Sequence, residues 1–382
     1  MSAARPGHWR SFLVCQGAFS TLGGYGTVLV YREHGLEQTL LYTALMLSMT
    51  MLCIVAPFVL GRWRRAPSCG ALIRASFAVP ALLLWACAGR PPLLALAFGA
   101  FLGLSWSARH WLELSLIDDA GRDHYAAQAT VRTVLASLGT TAAVALVLTL
   151  NHDAAEAVYA SYTLLALAGL LLAARSLPAT PPMSLQRPVA VLRQPAFKAC
   201  LPLYFLESGL LGIGMVLGAS GAVQSLGHTS AYGWVASAAT LAGAAGLHAL
   251  RHQRHAANRV SWMGWACLGM MAAQALLGAS LWLPGLYVLH MLLQACVQPF
   301  WLASEQVLNQ RVLDLHGALA DRIVVREVVL WLLRLLALAA FWLGTRDLAP
   351  HAILLPGTLL VIVATGLEWA IGRAWLRHRP AD

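Results

Sequence analysis

The chain has 382 residues, of which 59% are hydrophobic and only 11% charged, and its formal net charge is +10. Soluble domains carry roughly 25% charged residues, so this composition, with a mean hydropathy of +0.67, excludes a water-soluble globular protein. The positive charge does not indicate nucleic-acid binding either, because Lys and Arg sort by loop along the chain instead of gathering on one surface.

A membrane-spanning helix needs about 20 mainly apolar residues. Taking Pro, Gly and charge as breaks, the sequence predicts helices over 11–31, 39–60, 69–87, 92–111, 127–150 and 154–173. A second series follows over 199–218, 231–249, 260–281, 285–303, 324–343 and 352–371. The first run follows Arg5 and Arg10 but is too long for a signal peptide and has no small-residue cleavage site. The ninth and tenth helices are divided only by the Leu283-Pro284-Gly285 break. The expected fold is therefore an all-α integral membrane protein of about twelve transmembrane helices.

The loops carry the topology. Arg62, Arg64, Arg65, Arg175, Arg187, Arg193, Lys198, Arg251, Arg254 and Arg259 fall on the side of the chain termini, against Arg32, Arg90 and Arg346 on the other. Cytoplasmic loops hold the positive excess, which puts both termini in the cytoplasm. The proline-rich stretch near the middle divides the chain into an N-terminal six-helix half at 1–175, a cytoplasmic linker at 176–196 and a C-terminal six-helix half at 197–382.

The halves echo each other. GYGTVL from Gly24 recurs as GIGMVL from Gly212 in the seventh helix. WSARHWLELSLIDDA from Trp106 has its counterpart in FWLASEQVLNQRVLD from Phe300, each leading to a Val-Arg pair, Val131–Arg132 and Val325–Arg326. Parallel six-helix repeats occur in a class of secondary transporters, and the chain resembles the major facilitator superfamily in this architecture. Its second-to-third loop, GRWRR at Gly61 to Arg65, keeps that family's first glycine and basic pair but lacks the aspartate. The resemblance implies a pseudo-symmetric bundle working by alternating access on a small organic solute or amphiphile, with export favoured over uptake, and Arg334 tilts the expected solute toward an anionic one. A proton is the implied coupling ion, the bacterial inner membrane the implied location, and a monomer among membrane lipids the implied state. A lipid or metal-ion translocator of the same fold, or a membrane-embedded transferase, is the alternative.

Ionisable groups inside a membrane cost roughly 2.5 to 3.5 kcal/mol at a helix centre, so depth decides what each one means. At 1.5 Å per residue, Glu207 and Arg334 come out near the midplane, where transporters place substrate and coupling ions; they are the expected proton-coupling and substrate residues. At a similar level, Gln16, Tyr25, Trp106, His290, Gln294, Gln298 and Trp301 are expected to line a cavity. Arg109, Glu113, Arg132, Glu305 and Arg326 fall nearer the cytoplasmic face. There each one alone reads as a snorkelling side chain, and together they read as a cytoplasmic gate, with Arg109 and Glu113 four apart on one helix face.

Nothing implies a catalytic residue or a cofactor. The seven cysteines lack CxxC spacing, so they define neither a disulfide framework nor a zinc site. The methionines from Met46 to Met51 read as core packing rather than a soft-metal path, and no Walker, GxSxG or HExxH sequence is present.

Overall fold

A computed structural model describes residues 9–63, 66–87, 89–117, 119–175, 177–250, 253, 258–313 and 317–377. The side chains of 119–124, 126–127, 207–208, 303, 305–307, 309–313 and 377 lie outside that description. Helices run in the order α1 Arg10–Ser20, α2 Leu22–Trp63, α3 Cys69–Trp85, α4 Pro91–Leu116, α5 Asp119–Leu150, α6 Ala155–Leu172 and α7 Pro188–Arg193. They continue with α8 Pro195–Tyr204, a π turn at Phe205–Gly209, α9 Leu211–Leu226, α10 Thr229–Leu250, α11 Arg259–Ala279, α12 Gly285–Leu313, α13 Leu319–Thr345 and α14 Leu354–Arg377. Among the described residues there is no strand.

These elements make twelve crossings. At 1.5 Å per residue α2 would be about 63 Å long, twice the hydrocarbon core, and it turns back at Gly35, where φ is 75° and ψ −170°. That backbone region suits a residue without Cβ, so the first crossing is α1 with the start of α2 and the second is the remainder. The seventh crossing is likewise composite, α8 joined to α9 through the π turn. Seven helical stretches among the described residues are long and apolar enough to span a membrane, the stretch Arg10–Trp63 counting as one; Cys69–Trp85 and Leu211–Leu226 are shorter apolar helices. Trp63, Trp85 and Trp282 are strongly exposed at helix ends, as in the aromatic belts at membrane surfaces.

Apolar burial drives helices together only weakly in lipid, so close packing has to do it. Gly99 and Gly103 stand one turn apart on α4 and face Met46, Thr50 and Cys53 of α2; a Cβ on Gly99 would come within 2.6 Å of the Met46 carbonyl oxygen. Phe19, Phe77 and Phe101 interlock the first, third and fourth crossings, with the Phe19 and Phe101 rings 4.5 Å apart. In the second six crossings Phe197, Tyr204, Met263 and Cys267 form the corresponding buried cluster.

The bundle has one end that bears the linker and one distal end. At the distal end the two sets of six crossings meet directly: Trp234 Nε1 donates to Thr149 Oγ1 at 3.1 Å, Ser220 Oγ to the Tyr31 hydroxyl at 3.0 Å, and the Tyr25 and Tyr232 rings stand edge to face. Midway, Trp331 Nε1 of α13 donates to Ser48 Oγ of α2 at 3.1 Å.

Candidate functional site

The polar groups of interest collect in the linker-side half of the bundle. On α4, Arg109 Nε donates to Glu113 Oε1 at 2.6 Å, and both side chains are almost shielded from solvent. The same oxygen accepts the Tyr125 hydroxyl of α5 at 2.7 Å, and Tyr125 in turn accepts Trp9 Nε1 at 3.1 Å. Arg109 Nη1 reaches Gln16 Oε1 of α1 at 3.2 Å, Gln16 Nε2 donates to Ser105 Oγ at 3.3 Å, and the guanidinium lies 4.7 Å from the centre of the Trp106 ring. Three helices thus hold one ion pair on every side. Arg109 is seven residues, about 10 Å, from the end of α4 at Leu116. The pair is buried rather than extended toward an interface.

The second cluster is on α13. Arg326 Nη1 donates to Glu327 Oε1 at 2.6 Å, both side chains buried, and the guanidinium stands 5.3 Å from the Tyr204 ring of α8. Arg334, two turns further along the same face of α13, is within electrostatic reach of Glu327, and so is His110 of α4. His110 also feels Arg326, Glu113 and Arg109. It therefore lies within electrostatic range of both ion pairs, one from each half.

The structure brings Gln16, Trp106, Arg109 and Glu113 into one network and Arg326 and Arg334 around Glu327. Arg132 stays on α5, where it bonds Gln128 Oε1 at 3.2 Å. Tyr25 donates to the Thr141 carbonyl at 2.9 Å and His290 Nδ1 meets the Ala273 carbonyl at 2.8 Å, so both serve helix packing. Gln294 and Gln298 are half-buried one turn apart on α12, and Trp301, partly buried, packs against the neighbouring apolar clusters. The side chains of Glu207 and Glu305 lie outside the described residues; the Glu207 backbone is within the π turn Phe205–Gly209, a feature frequent at functional sites.

Sequence reasoning missed Glu327, Tyr125 and Trp9. The apolar text of the eleventh helix begins at 324, whereas α13 begins at Leu319. That shift carries Arg326 and Glu327 about 10 and 12 Å into the helix and out of its first turn.

At the distal end a depression of about 590 Å³ is lined by Arg32, His152, Asp153, His228 and Ser230. Asp153 Oδ1 accepts the Ser230 backbone N–H at 2.8 Å, and its Oδ2 lies 3.2 Å from His228 Nδ1. Among the described residues no cluster of three or more His, Cys, Asp or Glu is arranged to hold a metal ion.

The fold and these buried charges define a polytopic membrane protein of two six-helix halves. No family model matches the sequence, and no curated protein sequence matches it. Solved structures do match. The chain is similar to the human organic anion transporter MFSD10 (TETRAN), with TM-score 0.60 and 15% identity over 96% of this chain and 100% of that one. It is similar to the nucleoside transporter NupG, with TM-score 0.63 and 12% identity over 97% of this chain and 98% of that one. It is similar too to the proton:xylose symporter XylE, a major facilitator superfamily protein, with TM-score 0.64, 13% identity and 95% of each chain covered. The chain adopts the major facilitator fold over nearly its whole length.

Proposed function

We propose that the protein is a secondary active transporter that moves a small organic solute, anionic or amphiphilic, by alternating access, with the proton as coupling ion and both termini in the cytoplasm. One observation carries the reading: Arg109–Glu113 and Arg326–Glu327 are buried ion pairs on membrane-embedded helices of opposite halves, with His110 within electrostatic range of both. Stability does not account for them, because replacing a buried pair by well-packed apolar groups is often neutral or stabilising. An ionisable residue inside a membrane is functional by default.

Pairs of this kind can exchange partners as the halves rock. The cationic groups Arg109, Arg326 and Arg334 favour an anionic or zwitterionic solute, and Glu327 or Glu207 is the carboxylate that would accept the coupling proton. The positive excess on the linker side supports a cytoplasmic linker. The structurally similar proteins, described as handling organic anions, nucleosides and xylose, support a small soluble cargo.

The test is solute-dependent proton flux in proteoliposomes with a panel of small organic anions, comparing wild type with Glu207→Gln and Glu327→Gln. The expected result is flux in the wild type and its loss in at least one variant. Flux unchanged in both variants would remove the assigned carboxylates, and uptake of no solute by the wild type would remove the transport reading.

A further inference from the structure

The segment joining the halves is bonded to both of them. On the first half, the Pro181 carbonyl accepts Trp111 Nε1 at 2.8 Å, Thr180 Oγ1 lies 3.5 Å from Cys69 Sγ, and the Met183 carbonyl rests directly on Gly61, where any Cβ would overlap it. On the second half, the carboxylate of Asp321 in the first turn of α13 takes two consecutive backbone N–H groups, Gln186 on Oδ1 at 2.8 Å and Arg187 on Oδ2 at 2.7 Å. Met183 is 1% and Asp321 2% exposed, so both attachments are buried. Charge-assisted bonds of this kind are about twice as strong as neutral ones, and a carboxylate in the first helical turn is further favoured by the helix dipole.

We propose that residues 177–187 form a strap that ties the linker-side ends of the two halves together, and that this side opens only when Asp321 lets the strap go. The geometry sets the limit. Between Met183, seated on Gly61 of α2, and Gln186, bonded to Asp321 of α13, there are only two residues, three steps of chain that span at most about 10–11 Å when fully extended. With both attachments intact, the head of α13 is therefore tethered close to the end of α2 by this short span. Arg326 and Glu327 follow Asp321 by five and six residues on the same helix, about 8–9 Å along its axis, so the strap holds the very helix end that presents the second ion pair.

The inference rests on the transport reading only in taking the halves to part. A distance measurement on the full-length protein in lipid nanodiscs tests it directly. Spin labels borne on unnatural amino acids, which avoid the seven free cysteines, go at the exposed positions Arg62 and Lys198. Asp321→Ala is expected to shift the Arg62–Lys198 distribution to longer distances. Trp111→Phe, which keeps the ring against Phe58 but removes the donor to Pro181, is expected to shift it in the same direction. Distributions unchanged from wild type in both variants would overturn the strap. If Asp321→Ala does not yield monodisperse protein, Asp321→Asn and Trp111→Phe decide the matter by the same criterion. Absence of solute flux would defeat the transport reading while leaving this distance result standing, and the reverse also holds.

Discussion

The hydroxyl of Tyr125 and the carboxylate of Glu113 meet at 2.7 Å, on the same oxygen that receives Arg109 Nε at 2.6 Å. Tyr125 thereby shares in holding the buried ion pair. Losing a bond to a charged group costs about 1.5–3 kcal/mol, whereas stranding one member of a buried pair costs about 3–5 kcal/mol. Thermal unfolding in detergent should accordingly rank Glu113→Ala as the more damaging change and Tyr125→Phe as the milder one. An equal loss from the two would contradict the ranking.

Trp331 and Ser48 join α13 to α2 through one hydrogen bond. Interhelical polar bonds in membranes average about 0.6 kcal/mol in double-mutant cycles. A cycle of Trp331→Phe and Ser48→Ala should return a coupling of about that size, and a coupling indistinguishable from zero would show that the contact contributes nothing.

Gly233 of α10 packs so closely on the first half that a Cβ there would overlap the Tyr25 hydroxyl and come within 2.7 Å of Ala145 Cβ. Gly233→Ala should push α10 away and loosen the distal closure. A cysteine at Ser237, buried one turn away, should then react severalfold faster with a membrane-impermeant thiol reagent added on the distal side. No change in rate would mean that α10 tolerates the methyl without moving.

Asp153 caps α10 from the opposite half through Ser230 and also faces His228. Loss of a helix cap costs about 1 kcal/mol, and asparagine keeps an acceptor. Asp153→Ala should lower thermal stability by about that amount and accelerate labelling of the Ser237 cysteine, with Asp153→Asn milder on both measures. Equal effects would point to the charge rather than the cap.

Much of the fold was legible because hydropathy reports the lipid-facing length of each helix. Even the faint Leu283-Pro284-Gly285 break divides two real helices, α11 ending at Ala279 and α12 beginning at Gly285. Hydropathy does not report where a helix continues into polar text: α4 runs on to Leu116, α5 begins at Asp119 and α13 at Leu319. Glu113 and Tyr125 fall in those extensions, and the earlier start of α13 sets Arg326 and Glu327 further from its end. Arg109 and Glu113 were visible as partners because four residues bring two side chains to one face. Arg326 and Glu327 are sequence neighbours, a spacing that ordinarily points side chains apart, so their bond follows only from the fold. Tyr125 and Trp9 carry no charge to flag them, and their role depends on three helices converging.

The central claim is that the ion pairs of α4 and α13 work together in coupled transport, and Glu327 tests it most directly. Solute counterflow and proton-driven accumulation should be measured side by side in proteoliposomes carrying wild type or Glu327→Gln. The prediction is that the variant retains counterflow, since exchange needs no net proton movement, and loses accumulation. Accumulation at the wild-type level in Glu327→Gln would contradict it.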